Sequence, residues 1–207
     1  MPEAAGIRGL YAVTPDLADT SELCRLVEAS LDGGVALVQY RNKNADAALR
    51  AEQAGRLLAL CRSHRVPLII NDHLDLCLAI DADGVHLGGD DGDIVQARRV
   101  LGDKLLGVSC YADLERAQSA QAQGADYAAF GSCFGSSTKP GVVRAPLDLL
   151  TRAAQQLAVP VVAIGGINAD NARLAVEAGA DSIAVINALF GAPDVRHAAH
   201  RFSTLFQ

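Results

Sequence analysis

The chain has 207 residues and a mass of 21.6 kDa, which predicts one domain. Half of the residues are apolar and a fifth are charged, which supplies a sizeable core and excludes intrinsic disorder. The formal net charge of −6, the absence of Trp and a total of nine Tyr and Phe argue against a nucleic-acid or anionic-membrane partner.

From the N-terminus, Met1 to Leu10 carries no basic segment followed by an apolar one. No apolar run approaches the ~20 residues that span a bilayer, so a soluble, cytoplasmic chain is expected. The first strand is predicted over Gly9–Thr14. The stretch Tyr11-Ala-Val-Thr-Pro-Asp16 lacks the Gly-rich fingerprint of dinucleotide-binding sheets. A helix over Ser21–Asp32 follows, with apolar residues at i, i+3 and i+4. The second strand, Ala36–Arg41, is less apolar. Side chains alternate along it, so Leu37, Gln39 and Arg41 share a face, with Lys43 on the same side if the strand stays extended. Gln and Arg pointing into a sheet interior need a polar partner. The pattern reads either as an anion clamp or as a solvated strand end with an internal ion pair. Asn44 is placed to cap the next helix, Ala45–His64.

The third strand, Pro67–Asn71, runs into Asp72 and a short helix, Leu74–Ile80. The fourth, Gly84–Leu87, leads through Gly88-Gly89 to Asp90-Asp91-Gly92-Asp93 and a helix over Asp93–Leu101. Carboxylates at neighbouring strand ends suit a hard cation such as Mg2+, which takes one or two of them and keeps several waters. Asp93 reads better as a helix cap and Asp90 as a turn residue. Asp72 is balanced between ligand and cap, and spacing does not choose between Asp90 and Asp91. His86 reads as a satisfied core or rim histidine; no chemistry is assigned to His64, His73, His197 or His200.

The fifth strand, Leu105–Cys110, carries Ser109 and precedes a helix over Asp113–Gln123. The sixth, Tyr127–Gly131, opens the long loop Gly131-Ser-Cys-Phe-Gly-Ser-Ser-Thr-Lys-Pro-Gly141, whose amides and hydroxyls can wrap an anion beneath Lys139. A helix over Pro146–Ala158, with Pro146 in its first turn, precedes the seventh strand, Val161–Gly165. Next come a helix over Asp170–Ala178 capped by Asn168, an eighth strand Ser182–Asn187, and a last helix Asp194–Phe206. Gly102, Gly124 and Gly179 suit helix ends. Paired Gly165-Gly166 and the amides after strand eight match the recurring phosphate site of parallel barrels.

Eight strands alternating with eight helices imply parallel strands joined by right-handed crossovers. The count favours a closed (β/α)8 TIM barrel of the α/β class over an open doubly wound sheet, with residues 1–207 as a single domain. The cysteines, Cys24, Cys61, Cys77, Cys110 and Cys133, are odd in number, widely spaced and without a C-x-x-C pair. They predict buried free thiols in a reducing compartment, not a disulfide framework, a zinc site or a nucleophile.

Six segments in order carry a resemblance. They are Gln39-x-Arg41-x-Lys43, Asn71-Asp72, Gly84-Val-His-Leu-Gly88 with Asp91, Gly107-Val-Ser109, Ser136-x-Thr138-Lys139 and Ala163-Ile-Gly-Gly-Ile-Asn168. The set, spanning Leu10 to about Phe190, resembles the thiamine-phosphate synthase (thiamine-phosphate pyrophosphorylase) family. The resemblance implies a TIM barrel enzyme that joins an aminopyrimidine methyl diphosphate to a thiazole phosphate and releases pyrophosphate. By position, it implies pyrimidine-diphosphate contacts at Gln39, Arg41, Lys43, Asn71, Ser109 and Lys139, with Tyr40 and Asn42 among the substrate-binding run. Lys139, Arg41 and Ser109 would be catalytic. It implies Mg2+ ligands at Asp72 and Asp91, and a thiazole-phosphate cradle of Ser136, Ser137, Thr138, Gly166, Ile186 and Asn187.

The chain departs from the family pattern at four places. Ser136 replaces the first Thr of a Thr-x-Thr-Lys loop, Gly89 a Gln, and Asn187 a Ser, and Cys110-Tyr111 stands where Thr/His is common. Two competing readings are a thiazole tautomerase on the same fold and a non-catalytic phosphate-binding barrel. The tautomerase would not need the Gln39/Arg41/Lys43 set, the Asp72/Asp91 pair and Lys139 together, and the binding barrel predicts ligand binding without Mg2+-dependent pyrophosphate release. The sequence carries no statement of oligomeric state.

Overall fold

The computed structural model describes residues 7–88, 92–135 and 145–207. Its strands are β1 (Gly9–Val13), β2 (Leu37–Tyr40), β3 (Leu68–Asn71), β4 (Gly84–Leu87), β5 (Leu105–Tyr111), β6 (Tyr127–Phe130), β7 (Val161–Ile164) and β8 (Ser182–Val185). Each runs parallel to the next in sequence, and β8 pairs with β1 to close the barrel. The helices are α1 (Thr20–Asp32), α2 (Ala47–His64), α3 (Leu74–Ala79), α4 (Ile94–Leu101), α5 (Leu114–Ala122), α6 (Leu147–Gln156), α7 (Ala172–Glu177), α8 (Asn187–Phe190) and α9 (Val195–Ser203). A 3-10 turn, Thr204–Phe206, ends the chain. The result is the expected (β/α)8 barrel. No described helix is long and apolar enough to cross a membrane.

Strand alternation divides the core in two. Leu10, Val38, Ile70, Val85, Val108, Phe130, Ala163 and Ile183 pack outward against the helices. Tyr11, Leu37, Ile69, Tyr127, Val162 and Ala184 fill the barrel. The helices start where a side chain can accept the free N–H groups of a first turn. Asp19, Asp93, Asp113 and Asp194 do this for α1, α4, α5 and α9.

At the N-terminal end of the strands, one device occurs three times. An Ala-Asp pair precedes β4, β6 and β8. Each carboxylate accepts a backbone N–H from the first or second residue of the preceding strand: Asp83 from Leu68 at 2.8 Å, Asp126 from Leu106 at 2.7 Å, Asp181 from Val161 at 2.9 Å. At the matching place before β2 stands Ala36, which has no side-chain acceptor.

Local expectations are corrected at several places. Asp46, not Asn44, caps α2, accepting from Leu49 N at 2.9 Å. Pro146 sits just before α6, at its N-cap position. Asn168 accepts from the backbones of Asp170 and Asn171, so it closes a turn ahead of α7, which starts only at Ala172. β8 ends at Val185, and the chain coils at once into α8, so Ile186 and Asn187 are not strand residues. That short helix raises the count among the described residues to nine. Four residues are about one turn, too short for apolar periodicity to reveal.

Candidate active site

β2 ends at Tyr40, and the chain leaves the barrel through Arg41, Asn42 and Lys43. Neighbouring side chains hold this turn. Thr14 Oγ1 accepts from Arg41 N and donates to Arg41 O, both at 2.9 Å. Asp16 accepts from the Lys43 backbone N–H at 2.9 Å and pairs with the Arg41 guanidinium at 3.2 Å. Asn42 Nδ2 donates to Leu17 O at 2.7 Å and to Gln53 Oε1 at 3.1 Å. The Tyr40 hydroxyl donates to the same Gln53 oxygen at 2.8 Å, and burial lifts its pKa to about 12, so it stays protonated. The side-chain groups of Tyr40 and Asn42 are thus committed to α2 and the β1 loop; they build the wall.

β3 ends at Asn71, and Asp72 then takes a left-handed backbone with φ 61°. Such a conformation costs a residue with a Cβ roughly 1–2 kcal/mol. It is held by the Asp72 N–H, which donates to His86 O on β4 at 2.9 Å. The Asp72 carboxylate accepts from Asn71 Nδ2 at 2.6 Å and from Gly88 N at 3.4 Å. The N-cap position of α3 is His73, and no side-chain bond caps that helix, so the cap reading of Asp72 falls away.

The two turns face each other. Arg41, Asn42, Lys43, Asn71 and Asp72 line one cavity of about 240 Å³, together with Tyr40, Arg50 and His73. Arg50, from the first turn of α2, places Nη1 2.5 Å from His73 Nε2. Three cationic side chains at this wall oppose the carboxylates of Asp72 and Asp16. The arrangement can receive a multiply charged anion.

One layer deeper, the inward positions of five strands form a continuous hydrogen-bonded chain. Gln39 Nε2 donates to Tyr11 Oη at 2.8 Å, and Tyr11 Oη lies 2.8 Å from Tyr127 Oη. His86 Nδ1 is 3.1 Å from Tyr127 Oη, and His86 Nε2 is 2.9 Å from Ser109 Oγ. The expectation of a satisfied core histidine is met. Burial raises the pKa of both tyrosines well above the usual phenol value. The Tyr127 ring also explains Gly107, where an added Cβ would lie 2.0 Å from the ring.

On the opposite side, Gly165 and Gly166 have φ of 99° and 70°. A Cβ on Gly166 would lie 2.5 Å from Phe134 O, so the start of the β6 loop fills that space. The loop is tied down by Cys133 N to Ile164 O at 3.0 Å and Phe134 N to Gly165 O at 2.9 Å. Ile186 stands at the N-cap position of α8 and Asn187 begins it. Asp91, Ser136, Ser137, Thr138 and Lys139 lie outside the described residues.

The five thiols are free; Cys61, Cys77, Cys110 and Cys133 are buried. Burial pushes Cys61 and Cys110 up to about 12 and Cys77 and Cys133 up to about 11, which leaves them poor nucleophiles. Asp16, Thr14, Arg50 and the Tyr11–Tyr127–His86 link escaped sequence reasoning. Thr14 and Asp16 follow β1 at the same rim, and the period-two rule already put Tyr11 and Tyr127 inside. Arg50 had no signal, because an arginine in a helix is ordinarily solvated.

Functional groups gathered at the C-terminal rim of a closed parallel barrel define an enzyme of the (β/α)8 class acting on small molecules. A family model for thiamine monophosphate synthase matches residues 10–189. A thiamine-phosphate synthase from Nitrosospira multiformis is 54% identical over 202 residues, covering 97% of this chain and 86% of the relative. One from Aromatoleum aromaticum is 53% identical over 207 residues, covering 100% of this chain and 99% of its own. The solved thiamine phosphate pyrophosphorylase from Pyrococcus furiosus superposes with a TM-score of 0.86 at 37% identity, covering 96% of this chain and 95% of that one. The chain belongs to the thiamine monophosphate synthase family, and its activity is the synthesis of thiamine phosphate, a transferase reaction.

Proposed function

We propose that this chain couples an aminopyrimidine methyl diphosphate to a thiazole phosphate with release of pyrophosphate, using Mg2+ and a dissociative displacement. The observation that carries this reading is the cavity where Arg41, Lys43 and Arg50 meet Asn71 and the tethered Asp72 carboxylate. A diphosphate is a poor leaving group until its charge is balanced. Arg41 and Lys43 would hold its oxygens, with Lys139 added from the β6 loop. Asn71 and Gln39 would orient the pyrimidine, and Ser109 would contact the diphosphate.

The donor set fits a hard cation. Among the described residues no group of three or more His, Cys, Asp or Glu side chains comes together as a metal site. Asp72 supplies one oriented carboxylate and Asp91 would supply a second, which is what Mg2+ requires when phosphate and water complete its shell. When bound, Mg2+ would neutralise charge on the departing diphosphate. The ring amino group can donate into the electron-poor methylene, and the thiazole nitrogen then forms the new bond. Ser136, Ser137, Thr138, Gly166, Ile186 and Asn187 would hold the thiazole phosphate, so proximity supplies much of the rate. The support for that cradle is that loops after strands seven and eight, with a short extra helix, are the usual phosphate site of such barrels.

The test is Asp72→Asn, which keeps the side-chain shape and the left-handed backbone that Asn tolerates. Turnover is followed by pyrophosphate and thiamine phosphate formation during Mg2+ titration. The variant should need at least tenfold more Mg2+ for half-maximal turnover, the equivalent of about 1.4 kcal/mol of lost binding. A titration curve superimposable on the unmodified protein's would remove Asp72 as a ligand.

A further inference from the structure

The chain from Gln39 to Ser109 joins two residues placed at the pyrimidine diphosphate in the proposed function, and it reaches them from β2 and β5, on different sides of the barrel. Its three middle members, Tyr11, Tyr127 and His86, are 1%, 0% and 7% exposed. Burial at this level makes each broken link costly, so the links hold together. The packing is also specific. Tyr11 meets Tyr127 edge-on, with centroids 6.0 Å apart, and His86 stacks on Tyr127 at 5.6 Å.

Hydrogen bonds have a direction, and in a chain of this kind the directions are linked. A hydroxyl has one hydrogen, and a neutral imidazole has one N–H, so with the His86 ring neutral each middle member can donate only one way along the chain. If Gln39 donates its amide N–H to Tyr11, Tyr11 donates to Tyr127 and Tyr127 donates to His86 Nδ1. His86 then donates from Nε2 to Ser109, and the Ser109 hydrogen is left for the site. Gln39 at the same time keeps its carbonyl oxygen for the site. The opposite direction turns the Gln39 amide over and makes Ser109 donate downward, away from a ligand.

We propose that this five-residue chain couples the amide orientation of Gln39 to the hydroxyl direction of Ser109, which makes Tyr11, Tyr127 and His86 positioning residues for the pyrimidine substrate. The two ends present a matched pattern, an acceptor at Gln39 with a donor at Ser109, or its inverse. An aminopyrimidine carries a donor amino group beside ring-nitrogen acceptors, and its diphosphate oxygens only accept. The first pattern suits both parts at once. The proposal rests on the placement of Gln39 and Ser109 at that substrate.

A double-mutant cycle tests it. Gln39→Ala, Ser109→Ala and the pair are measured for kcat/KM toward the pyrimidine diphosphate, in the unmodified protein and in Tyr127→Phe. Coupled ends predict that the pair costs at least about fivefold less than the product of the single losses, and that Tyr127→Phe abolishes the shortfall. Tyr127→Phe alone should lower kcat/KM for the pyrimidine diphosphate while leaving the KM for the thiazole phosphate within about twofold. A purely structural tyrosine would change thermal stability without moving either readout. Losses that multiply in both backgrounds, or a shortfall that survives Tyr127→Phe, overturn the coupling. If neither single end variant changes the pyrimidine kinetics, the placement of those residues fails instead. Should Tyr127→Phe not fold, Tyr11→Phe breaks the same chain one link nearer Gln39 and is read the same way.

Discussion

Gly107 shows how one missing methyl group holds open the interior of the barrel. Tyr127 reaches across from β6, and its ring passes where a Cβ on residue 107 would stand, 2.0 Å from the ring carbon. Neither backbone nor ring can give way cheaply, because Tyr127 is bonded to Tyr11 and His86. Gly107→Ala should therefore lose roughly 1–3 kcal/mol of stability by overpacking, read as a fall in the urea midpoint at unchanged m-value. An unchanged midpoint would mean that the ring relocates freely. Asp72 makes the complementary point. Its left-handed backbone is disfavoured for most residues, yet the Asp72–His86 backbone bond and the Asn71 amide hold the carboxylate at the rim.

At the level of elements, the short loops after β1 and β2 work as one unit. Asp16 gives one carboxylate to two tasks, the Lys43 backbone and the Arg41 guanidinium. Arg41 and Asp16 keep 22% and 30% of their side-chain surface exposed, so screening limits the stability of this pair to about 1 kcal/mol at most. Its value is positional. Asp16→Ala should leave the urea midpoint nearly unchanged and raise the KM for the pyrimidine diphosphate roughly tenfold, because the Arg41 guanidinium and the Lys43 backbone both lose their anchor. Asp16→Asn keeps an acceptor for Lys43 N and should fall between. An unaltered KM in Asp16→Ala would show that the turn holds itself.

All eight strands were readable from apolar runs, and their ends were readable to within a residue or two. The polar interruptions at Gln39 and Asn71-Asp72 drew attention to the strand ends, because Gln or Arg inside a barrel needs a polar partner, while Ser109 alone gave little signal. What could not be read was pairing across the barrel. Nothing local in Tyr11 or Tyr127 shows that their hydroxyls meet, since 116 positions separate them. Asp16 was hidden for a similar reason, because its partners lie in the turn after the next strand. Asp46 was missed as the cap of α2 because it stands two positions beyond Asn44, and cap chemistry alone does not separate the two.

For the whole molecule, the buried thiols set a boundary on the alkaline side. Cys61, Cys77, Cys110 and Cys133 have folded pKa values raised above the ordinary 9.0 by burial, to between about 11 and about 12. A raised folded value means that the native state keeps a proton which the unfolded chain releases. The stabilisation is therefore complete below pH 9 and is lost as pH climbs toward the folded values, by up to about 1.4 kcal/mol per pH unit for each thiol. The urea midpoint should be flat from pH 7 to 8.5 and drop steeply between pH 9 and 11. A flat profile through pH 10.5 would show that the thiols ionise in the folded protein.

The three carboxylates that grip the starts of β3, β5 and β7 have a consequence for how the cylinder is put together. Each joins an odd stave to the even one after it, so three quarters of the circle are stitched in twos at the foot, and the first quarter, with Ala36, is left unstitched. These stitches lie a full strand away from the rim where the substrates meet. Durability and reactivity are thus written on opposite ends of the same eight staves, and a change in one can spare the other.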